Sequence, residues 1–370
     1  MRLVFMLITV ALFQLCAFTV GRGIFWLIQP WLPNARTWVV IVTLVVSNLF
    51  LAMLFLGQFR IALGYLSVLW LGVLTIVVIC VINVLCQKLS LANAQVYDVG
   101  IRAAALCGFV GLIGMSLYNA YTPTVRHLSI QIDKPMAHPV RLALASDLHL
   151  GRMFGVNQLE QLANILKQER AELLLMPGDI MDDDTHVYEA QNMRPAFGSV
   201  VSAASSGVVA SLGNHDLYDV SSRRAIAEAV RATGAVLLDD QVAVINAGGV
   251  LLSLIGRFDD HKTDRKTTEQ LLAELPQEAQ EYPVILLDHR PSQVDENVQL
   301  PIDVQVSGHT HNGQIFPANF IVKMLNRVSY GHKEINNTHV IVSSGYGFWG
   351  IPFRLGSQSE VWVIELSGKK

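Results

Sequence analysis

Five predicted strands in the second half of the chain each run into side chains that can hold a metal ion or carry a proton. They are Asp147 with His149, Asp179, Asn214 with His215, His289, and His309 with His311. Imidazole, carboxylate and amide oxygen together make a mixed nitrogen and oxygen donor set. Such a set suits Mn, Fe, Zn or similar divalent ions rather than soft thiolate chemistry. In Asp147-Leu148-His149 and His309-Thr310-His311, residues two apart point the same way in extended chain, so both members can reach one site. Gly178, Gly213 and Gly308 are expected to allow the sharp turns that leave the strands.

The elements that must present these residues follow from the apolar pattern. Strands are predicted over Val140–Ser146, Leu173–Pro177, Val208–Leu212, Val284–Leu287, Val304–Ser307, Val340–Ser343 and Val361–Leu366, with a hairpin over 242–255. Thr124–Ile132 alternates apolar and polar residues and reads as a further strand. Helices are predicted over 158–169, capped by Asn157, over 221–232, capped by Ser221, and over 267–275. Alternating strands and helices indicate an α/β core, in which ligands collect beyond the carboxyl ends of strands.

This constellation resembles the calcineurin-like metallophosphoesterases. The motifs are Asp147-Leu148-His149, Gly178-Asp179, Gly213-Asn214-His215-Asp216, His289 and Gly308-His309-Thr310-His311, and their order and spread also match. The resemblance covers roughly residues 138–368. Within the superfamily it is most similar to the membrane-associated bacterial branch, which includes lipid-headgroup phosphohydrolases. Gly308 through Gln314 followed by Pro317, and Gly345-Tyr346-Gly347 followed by Pro352-Phe353-Arg354 and Glu360, carry that finer likeness. Asn312 stands where the branch usually has glycine, and Asn accepts glycine-like dihedrals more readily than most residues.

The resemblance implies a β-sandwich flanked by helices and a metal-dependent phosphoric ester hydrolase with two divalent metal ions and a metal-bound hydroxide. Asp147, His149 and His311 would hold the first metal and Asn214, His289 and His309 the second, with Asp179 bridging. His215 would act as general acid or stabilise charge on the phosphoryl oxygens, and Asp216 would orient it. The substrate is a phosphoester: a phosphodiester, pyrophosphate or monoester, with a phospholipid or lipid-linked headgroup among the options. The alternative is a membrane sensor or regulator whose phosphoesterase-like domain binds a ligand without turnover. No member of the ligand set is missing, which favours catalysis.

Other polar residues carry plainer expectations. Arg354 is the candidate for a phosphate contact, because guanidinium matches phosphate bidentately. Arg257 and Arg290 share that candidacy, with a surface ion pair as the default, and Asp182-Asp183-Asp184 reads as a solvated acidic loop. Asp259-Asp260-His261 reads as a polar loop or part of the cleft lining. His127, His138, His186, His332 and His339 read as ordinary surface histidines. For Tyr346, Phe348 and Trp349, core packing is the default and a lipid-facing rim the alternative.

The first third of the chain has a different solvent. The 370 residues are 52% hydrophobic and 15% charged, with a mean hydropathy of +0.40. An ordinary domain carries about 25% charged residues. Residues 1–120 hold six basic side chains and one acidic one, Asp98, while the whole chain is −3, so the remainder is acidic. All four cysteines lie before residue 120 and all 11 histidines after it. A transmembrane helix needs ~20 apolar residues. Leu3–Val20, Thr37–Gly57, Tyr65–Cys86 and Ala103–Tyr121 therefore read as about four spans of a multi-pass protein of the cell membrane. These runs contain no Asp, Glu, Lys, Arg or His, which favours an anchor over a transport path. Trp26, Trp31 and Trp38 mark an interfacial re-entry. Arg2, Arg60, Arg126 and Lys134 on one side balance Arg22, Arg36, Lys88 and Arg102 on the other, so the positive-inside rule gives no bias. The organisation expected is a transmembrane region over 1–121, a short linker and first strand over 122–137, and the metallophosphoesterase domain over 138–370. Partners are membrane lipids and the phosphoester. No basic run or aromatic platform suggests nucleic acid, and nothing in the sequence sets the oligomeric state.

Overall fold

The computed structural model describes residues 2–88, 94–261 and 264–369. The chain divides into two compact units, Met1–Leu117 and Tyr118–Lys370.

The first unit is helical: α1 (Arg2–Ile28), α2 (Arg36–Ala52), α3 (Phe59–Lys88) and α4 (Ala94–Tyr121), the last ending in the second unit. Three stretches, Thr9–Ile28, Phe59–Lys88 and Tyr97–Tyr121, are long and apolar enough to cross a membrane. The second expected span is shorter. α2 has 17 residues, about 25 Å at 1.5 Å per residue, against a ~30 Å hydrocarbon core. Its apolar run continues into turns over 53–57, where Gly57 has φ +71, so hydropathy outlasts helix. The other helices overrun their apolar runs and take in Arg2, Arg22, Arg60, Lys88, Asp98 and Arg102. Asp98 accepts bidentate hydrogen bonds of 2.9 and 3.0 Å from Arg102, so this pair is neutralised. Arg102 also lies 4.7 Å over the Trp26 ring. Ser47 bonds Tyr65 at 2.6 Å between α2 and α3. All four cysteines are free.

The second unit contains strands β1 (Thr124–Pro135), β2 (Val140–Leu144), β3 (Leu173–Pro177), β4 (Val208–Ser211), β5 (Val236–Leu237), β6 (Gln241–Ala247), β7 (Val250–Gly256), β8 (Val284–Leu287), β9 (Val304–Ser307), β10 (Gly331–Ile335), β11 (Thr338–Val342) and β12 (Glu360–Lys369). They form two six-stranded sheets, ordered β1-β12-β2-β3-β4-β5 and β10-β11-β9-β8-β7-β6. β2 through β5 are parallel, as are β7, β8, β9 and β11. Alternate residues of each central strand enter different cores. Leu142, Leu144, Leu173 and Leu175 meet Leu252, Leu254, Ile285, Val304 and Val306 between the sheets. Ala143, Leu174 and Met176 pack instead beneath the helices Val156–Glu169, Arg194–Ala203 and Val220–Arg231. Strands covered on both faces read as continuous apolar runs. The helix caps differ from expectation: Asp219, not Ser221, accepts from the Ser221 and Ser222 amides, and Gly155, not Asn157, precedes the first helix.

Candidate metal centre

The donor residues sit just beyond the carboxyl ends of β2, β3, β4, β8 and β9. These are neighbouring strands in their respective sheets. Asp147, His149 and His311 bring one ligand atom each within 4.8 Å of one another, and so do Asp179, His289 and His309. Asp179 lies between the groups: its Oδ2 is 3.2 Å from His289 Nε2 and 3.7 Å from His149 Nε2. Its Oδ1 accepts the His215 backbone amide at 2.8 Å.

The local backbone is shaped for this convergence. Asp147, His149, Asp179, His309 and His311 all have positive φ, between 46 and 67. Non-glycine residues are rarely held there, and such strain collects at functional sites. Gly178 shares the conformation, with φ +86. Gly213 and Gly308 do not, which corrects the expected role of their flexibility. A Cβ at Gly213 would collide with the Asp179 carboxylate, and one at Gly308 with that of Asp147. Space, not a dihedral, demands glycine there. Asn312 does adopt the left-handed region, with φ 48 and ψ 37.

The donor atoms fit divalent cations. Asp147 Oδ2, Asn214 Oδ1 and His289 Nε2 are buried with no hydrogen-bond partner among the described residues. Lone pairs so placed are costly unless something meets them. Neighbouring contacts aim two of them: Asn214 Nδ2 donates to Tyr218 Oη at 3.1 Å, and His289 Nδ1 donates to the Pro177 carbonyl at 2.8 Å. Each contact leaves the opposite atom of the side chain as the free acceptor, as in most histidine–metal sites. His149 Nε2 and His311 Nε2 face each other at 3.2 Å, the separation of two nitrogens each about 2.1 Å from one ion. Burial pushes His149 and His309 down to about 3, so both rings are neutral at physiological pH and free to donate a lone pair.

Residues 140–313 match the family model of the calcineurin-like phosphoesterases. This segment is a calcineurin-like phosphoesterase domain. An uncharacterised metallophosphoesterase of Helicobacter pylori (strain ATCC 700392 / 26695) is 26% identical over 250 residues, covering 67% of this chain and 65% of that protein. A Campylobacter jejuni metallophosphoesterase is 29% identical over 265 residues, 70% of this chain and 68% of that one. A transmembrane protein with metallophosphoesterase domain from Bos taurus is 28% identical over 301 residues, 76% of this chain and 63% of that protein. The match thus spans about two thirds of the relatives' length.

Within the phosphoesterase domain, the surroundings of His215 differ from expectation. Asp216 does not touch its ring. The Asp216 carboxylate accepts the backbone amides of Ile180, Met181 and Gly213 at 2.9–3.1 Å, and so clamps the turns after β3 and β4 together. Asp183 holds the imidazole instead, with Nδ1 donating to its Oδ1 at 2.5 Å. Asp182 joins His149 and His215 in a further group of close ligand atoms. The acidic run 182–184 is therefore not merely solvated. Burial pulls His215 down, but the Asp183 bond and the Asp179 charge prevail and raise it above its ordinary value.

Arg354 is also corrected. It is fully buried, and its Nη2 donates to the carbonyls of Ser344, at 2.7 Å, and Gly347. The same nitrogen lies 3.2 Å from His311 Nδ1. The guanidinium knits the 344–347 loop to the metal-site histidine and has no open face for phosphate. Arg354→Met is expected to cost about 2–3 kcal/mol by stranding buried carbonyls, read as a lower thermal midpoint of the full chain. KM for a soluble phosphoester should stay constant. A raised KM with unchanged stability would restore the phosphate role.

Arg257 is not a surface residue. It is buried and paired with Asp288 at 3.1 Å. Arg290 pairs with Asp259 at 2.9 Å and Asp260 at 3.2 Å, and Asp259 accepts the His261 amide. His332 and His339 stack on each other, and His127 bonds Glu169. Tyr346 and Phe348 are core residues, while Trp349 is half-buried.

Proposed function

We propose that this chain is a membrane-anchored, metal-dependent phosphohydrolase with a dinuclear centre. It cleaves a phosphodiester, pyrophosphate or monoester bond, and a lipid-linked phosphoester is the substrate class that best suits its anchor. The observation that carries the reading is the set of unpartnered buried donor atoms on two histidine–carboxylate groups, with Asp179 of one group lying 3.7 Å from His149 of the other. Asp147, His149 and His311 would hold one ion and Asn214, His289 and His309 the other, with Asp179 common to both. Two such ions supply Lewis acidity toward phosphoryl oxygens and a nucleophilic water near neutral pH.

The protein's own contribution is positional and protonic. With Nδ1 fixed on Asp183, His215 carries its exchangeable proton at Nε2, ready for a departing oxygen. Asp216 acts through the backbone, setting the turns that present Asp179 and Asn214. Only Thr122 and Pro123 separate α4 from β1. A domain held so near its helices meets substrates of the same bilayer at high effective concentration. Residues 1–121 thus serve as anchor and 138–370 as the catalytic domain, with the first strand between them.

The test is hydrolysis of chromogenic phosphomonoesters and diesters by the full chain. Activity should vanish on chelation and return with Mn²⁺. Activity indifferent to chelation would refute the reading.

A pH dependence follows. Burial, aided by the Asp179 charge, pushes Asp147 up to about 6. His289 is also raised, because nearby carboxylates outweigh its burial. In the metal-free protein both groups hold protons at low pH, and metal must displace them. Mn²⁺ affinity is therefore expected to fall from about pH 8 to about pH 5, by up to about tenfold per pH unit for each proton displaced. Thermal stabilisation by Mn²⁺ at several pH values measures this, and a pH-independent shift would contradict it.

A further inference from the structure

The helix Ala318–Leu325 is unlike every other helix of its unit. None of its residues is buried. Phe320 is 57% exposed, Ile321 56%, Met324 86% and Leu325 77%, and Phe316 just before it is 38% exposed. The spacing of 320, 321, 324 and 325 places these side chains on one stripe, the pattern by which a helix normally seats itself on a core. Here the stripe faces outward. A contiguous exposed apolar face of this kind marks an interaction site.

Two observations identify the occupant as a lipid surface. The same chain carries three stretches long and apolar enough to cross a membrane, so a bilayer is a solvent this protein already uses. The charge pattern also fits. From His311 to Lys333 the sequence has no Asp or Glu but includes Lys323, Lys333 and Arg327, the last paired with Asp295 at 3.3 Å, within an otherwise acidic region. A helix with an apolar face and flanking cations seats itself among anionic headgroups.

The excursion is tied to the metal loop at both ends. Thr310 Oγ1 donates to the Ser329 carbonyl at 2.7 Å where the chain returns. At the start, Phe316 N donates to Leu355 O at 2.7 Å and Leu355 N to Gln314 O at 2.9 Å. Gly313, with φ +75, packs so tightly on the backbone of Ala318 and Asn319 that a Cβ would not fit. The helix therefore cannot move far from His309 and His311.

We infer that the helix Ala318–Leu325 is an interfacial anchor whose apolar stripe lies in an anionic lipid surface and holds the metal centre at the headgroup layer. For its consequence, the capture of a phosphoester presented by the bilayer, this rests on the phosphohydrolase reading. Contact with lipid does not.

The test places the full chain, with its four cysteines replaced by alanine and Met324→Cys carrying a nitroxide, in nanodiscs of phosphatidylcholine with phosphatidylglycerol. Collision with oxygen should exceed collision with a water-soluble nickel chelate, and a Glu274→Cys control should show the reverse. A label as open to the chelate as the control would overturn the anchor. So would a label shielded from both quenchers, the signature of a protein partner. In the native background, Phe320→Ser with Met324→Ser should slow hydrolysis of a fluorescent lipid phosphodiester in the disc at least about tenfold. Hydrolysis of a soluble phosphodiester should be unaffected. An equal rate on the lipid would overturn the capture role. If no form of the protein hydrolyses either ester, the hydrolase reading fails, and label depth still decides the anchor.

Discussion

Asp179→Ala should abolish metal binding and hydrolysis together, with a rate loss of at least about 10³-fold. Asp179 lies against histidines of both groups, with one carboxylate oxygen 3.2 Å from His289 and 3.7 Å from His149. Its other oxygen accepts the His215 amide, so the substitution also frees the turn that carries Asn214 and His215. Replacing any single histidine removes one donor from one group and should do less. Metal content by elemental analysis and turnover under saturating Mn²⁺ are the two readouts. An alanine variant that kept both ions and its rate would show that Asp179 is not shared.

His215→Ala should have the opposite signature, with metal retained and turnover slowed by about 10²–10⁴-fold, the usual loss of a general acid. Its ring is buried beside His149, with centroids 4.9 Å apart, and its Nδ1 is engaged by Asp183. Asp183→Asn should reduce kcat less and move the pH profile. The Asp183 bond raises His215 above its ordinary value, so the protonated ring persists to higher pH in the parent. Without the carboxylate, the alkaline fall in rate should begin at lower pH. Loss of both ions in His215→Ala would make it a ligand instead, and an unmoved alkaline limb in Asp183→Asn would separate the two residues.

Much of the centre was legible because its strands are covered on both faces. β3 and β8 read as unbroken apolar runs, and β3 and β9 lead into a glycine followed by a donor, so the polar convergence could be found without coordinates. Proximity across the fold could not. Asp183 stands in a run of three acids, which looks like a solvated loop until the turn after β3 brings it to His215. Asp216 lies beside His215 in sequence, yet its carboxylate turns back to three amides. Arg354 has the right chemistry for phosphate, and only the fold shows that it is fully buried with Nη2 turned to carbonyls. β5 is two residues long and β10, Gly331–Ile335, is a polar edge strand, so neither carries an apolar signal. The Ala318–Leu325 helix has a clear apolar stripe, but periodicity alone does not say that the stripe points away from the protein. In the first unit, hydropathy located the helices but not their ends, because an apolar run over 37–57 continues past the 17-residue helix.

The most direct measurement is a titration of the metal-stripped full chain with Mn²⁺, following phosphoester hydrolysis. Activity should rise from nothing and level off at two equivalents per chain. Hydrolysis that needs no added ion, or that is complete at one equivalent, would contradict the dinuclear centre.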